Sequence, residues 1–152
     1  KLPVVVVRFF NTCGPRQTGR YGMVVPRFIK QALSGSPITV YSDGMQTRCF
    51  TYVKDVVKAL VDLMNCKRAV GEIFNLGNPE AISINELAKK VKRLTDSKSK
   101  IEHIPYEKAY EKGFEDMMHR HPDITKIKRY INFTPRTDVD GIITKTIEYF
   151  RG

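Results

Sequence analysis

The residues best suited to chemistry gather in a few short stretches. Gly14-Pro15-Arg16-Gln17-Thr18-Gly19-Arg20-Tyr21 has nearly the spacing of a phosphate-cradling P-loop and lies between a strand-like run and a helix-like one, as such a loop must. Its chemistry fails at three positions. Arg20 stands where the phosphate-bridging lysine is needed, Tyr21 removes the small hydroxyl that would hold magnesium, and Pro15 deletes a backbone N–H donor. A nucleoside triphosphatase is therefore not expected. Two basic groups, Lys89, Lys90, Lys92 and Arg93 and then Lys126, Lys128 and Arg129, raise a nucleic-acid reading. Both fall on polar faces of amphipathic helices, where lysines are ordinarily solvated, and no recognised nucleic-acid motif accompanies them. His103, His119 and His121 lack the Cys or carboxylate cluster that would complete a ligand set, so no metal site is expected. What remains is a typed but scattered set: the run from Arg8 through Asn11 to Arg16, the run from Gln46 through Arg48 to Asp55, Asn75-Leu76-Gly77-Asn78, and Arg120-His121-Pro122-Asp123. Taken singly each has a plain structural use, Asn11 in a turn, Arg48 as a surface charge, Asp55 and Asp123 as helix caps.

The elements that must position these residues alternate between strand and helix. Val4 to Phe10, β-branched and aromatic but for Arg8, reads as a strand covered on both faces in a parallel sheet. Val25, Phe28, Ile29, Ala32 and Leu33 recur at helical spacing from Val24 to Leu33, closed by Ser34-Gly35-Ser36-Pro37. Strands follow at Ile38 to Tyr41 and Thr47 to Val53, and Val56, Val57, Leu60, Val61 and Met64 trace a helix that Asp55 can cap. Glu72 to Leu76 is a short strand, and Ser83 with Glu86 forms a capping box ahead of Leu87, Val91 and Leu94. Tyr106 to Arg120 reads as a long loop with a turn of helix. Asp123 then caps a helix through Ile124, Ile127 and Ile131, and Asp138 opens one carrying Ile142, Ile143, Ile147 and Phe150.

With 152 residues, 41% hydrophobic and 28% charged, the chain can build one ordinary globular core. Its +10 net charge favours an anionic partner. Cys13, Cys49 and Cys66 are odd in number and irregular in spacing, which argues against a disulfide framework and for a reducing, cytoplasmic compartment. No apolar stretch reaches the ~18 residues of a membrane helix, so no membrane partner is expected. There is no initiator Met, and the apolar run starts at once, so the chain is read as a fragment opening at the edge of a core strand.

In their order and spacing, the Arg-x-x-Asn-x-x-Gly-Pro segment at Arg8 to Pro15, the Gln46 to Asp55 run and the Arg-x-x-Asp pair at Arg120 and Asp123 carry a more definite meaning. The chain resembles, from Val4 to Phe150, the C-terminal half of the extended short-chain dehydrogenase/reductase family: the NAD-dependent nucleotide-sugar epimerases, 4,6-dehydratases and UDP-glucuronate decarboxylases. The fold this implies is α/β, the C-terminal part of a Rossmann-type enzyme, with a small mixed substrate-binding domain and an incomplete parallel sheet, so that residues 1–152 form one substrate-binding region.

The resemblance also implies roles. Asn11 would bond the substrate diphosphate and Phe10 would lie near the nicotinamide. Val25 and the strand residues Thr39 and Tyr41 would line the pocket for the base, presumed a pyrimidine, with backbone groups and Tyr41 reading it. Arg48 and Arg120 would clamp the pyrophosphate, a sensible use of planar guanidinium forks, and Asp123 would touch the ribose or cap its helix. Cys13 stands where many family members have Tyr. The family's Gly-x-x-Gly-x-x-Gly turn is not in the chain, nor is its catalytic Tyr-x-x-x-Lys pair: Met45, Val25, Val56, Tyr110, Phe114 and Thr134 stand four residues after Tyr41, Tyr21, Tyr52, Tyr106, Tyr110 and Tyr130. The resemblance therefore implies a nucleotide-sugar, most simply a UDP-sugar, as ligand. It implies NAD as cofactor of the parent enzyme with no tight binding to this chain, a missing N-terminal Rossmann half as partner, a homodimer for the full-length enzyme, and no catalytic residue here. The competing expectation is a stand-alone nucleotide-sugar or nucleic-acid binding module.

Overall fold

The computed structural model describes residues 2–19, 23–105 and 117–152. In chain order its elements are β1 (Val6–Phe9), β2 (Thr12–Cys13), α1 (Val24–Leu33), β3 (Ile38–Tyr41), β4 (Thr47–Cys49), β5 (Thr51–Tyr52), α2 (Val53–Met64), β6 (Ile73–Leu76), β7 (Ala81–Ser83), α3 (Ile84–Leu94), β8 (Ile101–Ile104), β9 (His119–Arg120), α4 (Thr125–Ile131) and α5 (Val139–Arg151). The class is α/β with small parallel sheets. Where composition implied a single core, the chain divides into two compact units, each assembled from three separated stretches. Unit 1 takes Lys1–Cys13, Cys49–Ala81 and His121–Ile142, and unit 2 takes Gly14–Arg48, Ile82–Arg120 and Ile143–Gly152.

In unit 1, β1 and β6 run parallel with Val6 beside Ile73 and Phe9 beside Leu76. β2 and β5 form a second parallel pair, Thr12 beside Thr51. The buried face of α2 differs from the expected one: Val57, Val61 and Met64 are 53%, 51% and 84% exposed, and it is Val56, Ala59 and Leu63 that join Phe74, Leu76, Ile124, Ile127 and Phe133 in a buried cluster, with Val5, Val7 and Leu60 packed against it. The other face of β1 departs from expectation. A strand covered on both sides was implied, yet Val4 and Val6 are 55% and 48% exposed. Side chains alternate along a strand, so with Val5 and Val7 turned to the cluster Val4 and Val6 must face away from it. Among the described residues β1 has β6 as its one strand neighbour.

Asp55 also does other work than expected. α2 is entered from Tyr52 without a side-chain cap. The Asp55 carboxylate instead accepts the backbone N–H groups of Arg136 and Thr137 at 3.0 and 3.1 Å, fastening the segment ahead of α5. Asp138 does open α5, accepting the Gly141 N–H at 2.8 Å.

In unit 2, β3 and β8 run parallel, Ile38 beside Ile101 and Tyr41 beside Ile104. Val25, Phe28, Ile29 and Ala32 of α1, Ile38 and Val40 of β3, Leu87, Ala88 and Val91 of α3, and Ile143 and Ile147 of α5 are among its buried side chains. The capping box at Ser83 and Glu86 forms with both of its reciprocal bonds. Gly44, at φ +71°, makes the turn after β3, and a Cβ there would come within 2.7 Å of Val40 and collide with Asn85. The sheet β7–β4–β9 completes the unit apart from its end residues Cys49 and Ala81. The single extended run expected from Thr47 to Val53 is broken at Phe50. β4 ends at Cys49, β5 begins at Thr51 in a different sheet, and α2 already starts at Val53. Residues 106–116 of the expected long loop, and Arg20 and Tyr21 of the P-loop-like stretch, lie outside the described residues. No helix among those described is long and apolar enough to cross a membrane.

Candidate functional site

The expected site residues fall into two groups, one in each unit. In unit 2 the parallel pairing of β4 with β9 sets Thr47 beside His119 and Arg48 beside Arg120. Neighbours in register on adjacent strands emerge from the same face about 4.8 Å apart. The pairing is held by the Thr47 N–H donating to the Met118 carbonyl at 2.8 Å and by a 2.9 Å contact between Thr47 Oγ1 and His119 Nδ1. Arg48 is half-buried, with one guanidinium N–H donating to the Thr47 carbonyl at 2.7 Å, and Arg120 is exposed. Like charges opposite each other on paired strands are unfavourable unless an anion is shared between them, and two planar guanidinium forks suit an ion with oxygens on two phosphorus atoms.

The expected base-reading strand is also in unit 2, and its Thr39 is already engaged. Its N–H donates to Gln31 Oε1 at 3.1 Å, its hydroxyl accepts from Gln31 Nε2 at 2.9 Å, and its carbonyl accepts from Arg27 Nη2 at 3.1 Å. Arg27 further places its guanidinium 4.2 Å from the centre of the Tyr41 ring, a cation–π distance. The Tyr41 carbonyl accepts from Gln46 Nε2 at 3.3 Å. A base reaching this strand edge would have to compete with α1. Val25, expected in the pocket wall, is 1% exposed, so its side chain belongs to the core. Sequence reasoning passed over Arg27 and Gln31. Their signal was present: they lie four residues apart and, with Lys30, make up the polar side of a helix that is otherwise apolar.

In unit 1 the group collects at the C-terminal ends of the parallel strands β1 and β6, where open α/β sheets bind ligands. Phe10 and Asn11 follow β1 directly, and Gly77 follows β6. A Cβ at Gly77 would come within 2.7 Å of Phe10 and 3.0 Å of Pro122, so glycine lets these segments close up. Asn11 has a left-handed backbone, φ +37°, and its carboxamide N–H donates to the Cys49 carbonyl at 2.9 Å. That leaves its Oδ1 and second N–H to meet a ligand. Asp123 is exposed; its carboxylate accepts the Thr125 N–H at 2.9 Å, and this backbone bond holds its pKa below the usual carboxylate value. The cap position of α4 is thus not the expected Asp123 but Ile124, which has no side-chain cap bond; Asp123 reaches the first N–H of α4 from one residue further out. Burial pushes the Cys49 thiol up, keeping it protonated. Among the described residues no group of three or more His, Cys, Asp or Glu is placed to hold a metal ion.

Residues 1–77 match the family model described as the NAD dependent epimerase/dehydratase family. The UDP-N-acetyl-alpha-D-glucosaminuronate decarboxylase of Bacillus cytotoxicus is 47% identical over 151 residues, covering 99% of this chain and 47% of that protein. UDP-glucuronic acid decarboxylase 1 of Danio rerio is 42% identical over 98% of this chain and 34% of its own length. Among solved structures, the UDP-glucuronic acid 4-epimerase of Bacillus cereus in complex with UDP-glucuronic acid and NAD superposes with a TM-score of 0.86 at 26% identity, over 99% of this chain and 46% of that one. Epimerase Mth375 of Methanothermobacter thermautotrophicus gives 0.90 at 27% identity, over 99% and 44%. The chain thus spans about half or less of the length of the relatives it matches.

Proposed function

The chain belongs to the NAD dependent epimerase/dehydratase family, and from that premise we propose that its 152 residues are the nucleotide-sugar-binding part of a UDP-sugar decarboxylase or 4-epimerase. The observation that carries this reading is the register of β4 against β9, which pairs Arg48 with Arg120 on adjacent strands and so supports their joint use on a diphosphate. Asn11 adds a carboxamide for the same diphosphate, and Tyr41 an aromatic face for the base. Two of the relatives named above are decarboxylases acting, by name, on uronic acid derivatives of UDP-sugars, which favours a UDP-hexuronate as ligand.

The residues present do not make a dinucleotide site by themselves. The sequence holds no Gly-x-x-Gly-x-x-Gly turn, and Phe10, the one side chain expected near a nicotinamide, is packed against the backbone of Gly77. NAD supplies hydride acceptance in such enzymes. We therefore assign that chemistry to a complementary dinucleotide-binding half and give this chain the tasks of holding and orienting the sugar nucleotide. The half-exposed apolar face of β1 and β6, with Val4, Val6 and Ile73 between 45% and 55% exposed, supports a covering partner there.

Calorimetric titration of the chain with UDP-glucuronate tests the reading. Arg48→Ala and Arg120→Ala each weaken binding by about 2 kcal/mol, the scale of charged hydrogen bonds, or roughly thirtyfold. The chain with NAD and UDP-glucuronate gives no turnover. Unchanged affinity in both variants, or equal affinity for random-sequence DNA with a steep salt slope, overturns the reading.

A further inference from the structure

Unit 2 contains a cleft of about 520 Å³ that none of the expected site residues lines, a size within the usual range for small-molecule sites. Its walls are the loop Arg16 to Gly19, the side of α1 bearing Arg27, Lys30 and Gln31, and the last turn of α5 with Tyr149 and Phe150. Three of these side chains are cations, and no Asp or Glu is among the lining residues. The field inside the cleft is therefore positive.

Two further observations point to a ligand. Arg27 spends Nη2 on the Thr39 carbonyl and its guanidinium face on Tyr41, which leaves its Nε–H buried without an acceptor. A buried donor of this kind is unfavourable until something accepts from it. Tyr149, by contrast, leaves 47% of its surface open at the rim, and Lys30 stands 5.1 Å from the Phe150 ring centre beside it. A positive wall beside an exposed aromatic ring suits a molecule that joins an anionic head to a flat ring. Such stacking tolerates any base, because every base has a π-face.

We infer that this cleft is a second ligand site, separate from the Arg48 and Arg120 pair, for a nucleoside monophosphate. Arg16 and Lys30 take the phosphate and Tyr149 stacks on the base. The site does not depend on the nucleotide-sugar reading, since it shares no side chain with it. AMP, orthophosphate and adenosine, titrated separately against the ¹⁵N-labelled chain, test the inference. AMP shifts the amides of the Arg16 to Gly19 loop and of Tyr149 saturably, and each half-molecule binds at least tenfold more weakly. Lys30→Ala weakens AMP at least fivefold, and Tyr149→Ala does the same while leaving orthophosphate unchanged. Tyr149→Phe restores AMP binding, which keeps the ring and removes only the hydroxyl. Arg48→Ala leaves AMP binding within twofold. The inference is overturned by unsaturable shifts spread over surface lysines, by orthophosphate binding as tightly as AMP, or by Arg48→Ala weakening AMP as much as Lys30→Ala does. Because UDP-glucuronate binding is read separately at Arg48, either site can fail without the other.

Discussion

In unit 2 the outward edge of β3 is closed by its own helix: Gln31 and Arg27 take the Thr39 N–H and carbonyl, as a neighbouring strand would. In unit 1, β1 keeps Val4 and Val6 half in solvent beside the similarly open Ile73. Unit 2 thus resembles a finished surface into which cationic positions are set, while unit 1 resembles part of a larger sheet whose interior face has been left bare. Apolar side chains in a group are normally covered, so the contrast separates a strand edge that the chain closes by itself from a strand face that it leaves half-exposed.

That contrast can be tested from its largest expected effect downward. Phe74→Ala removes a fully buried ring from the unit 1 cluster and is expected to cost about 3–5 kcal/mol. Hydrogen exchange checks whether the loss is confined to β1, β6, α2 and α4. Loss of protection in α1 and α3 to the same degree would show that the two units unfold as one. Asp55→Ala leaves the Arg136 and Thr137 N–H groups without their carboxylate and costs about 2 kcal/mol. Urea denaturation reads this, with the unit 1 amides again responding first.

Ser83→Ala acts on unit 2 alone. Removing this cap costs about 1 kcal/mol, and it also changes the response to acid. Bonds from the Ser83 N–H and hydroxyl lower the pKa of Glu86. A carboxylate lowered on folding stabilises fully above its unfolded pKa and loses that contribution as pH falls through the lower folded value. The α3 amides of the wild type are therefore expected to lose protection on acidification through the carboxylate range, and those of Ser83→Ala to start lower and fall less. An acid limb identical in both proteins would separate the Glu86 shift from the cap. The smallest effect is at the Lys126–Glu72 pair, 2.7 Å apart and 44% and 40% exposed. Lys126→Met is expected to cost no more than about 0.5 kcal/mol in thermal unfolding.

Local patterns in the sequence were the parts that could be read. The α1 stripe, the Ser83 box and the Asp138 cap depend on residues a few positions apart, and they appear in the structure as their spacing implies, whereas the face of α2 does not follow its apparent stripe: Val57, Val61 and Met64 point to solvent and Ala59 and Leu63 join Val56 in the core. Asp55 looked like a cap by the same local logic, but residues 136 and 137, far along the chain, claim its carboxylate. The break at Phe50 was equally hidden, because a strand that changes sheets keeps its β-rich composition throughout. For the site, the types of Asn11, Arg48 and Arg120 taken singly were ordinary and only the family resemblance implied anion binding there; the β4 to β9 register adds the adjacency of the two arginines. The engagement of Thr39 by Gln31 and Arg27 could not be read from strand periodicity, since it is decided by how a helix lies over the strand edge.

Asn11 meets two demands at once, a left-handed backbone and a carboxamide that donates to Cys49. Glycine satisfies the first and loses the second, and no single-base change in an asparagine codon reaches glycine. The residues that such a change does reach are Asp, Ser, Thr, Ile, Lys, Tyr and His. Asp and His tolerate the backbone best among them, but an aspartate turns the donor into an oxygen facing the Cys49 carbonyl, and an imidazole has a different reach. In the language of mutational paths, this position is an isolated peak with no neutral step leading away from it, and drift at the strand end must go around it.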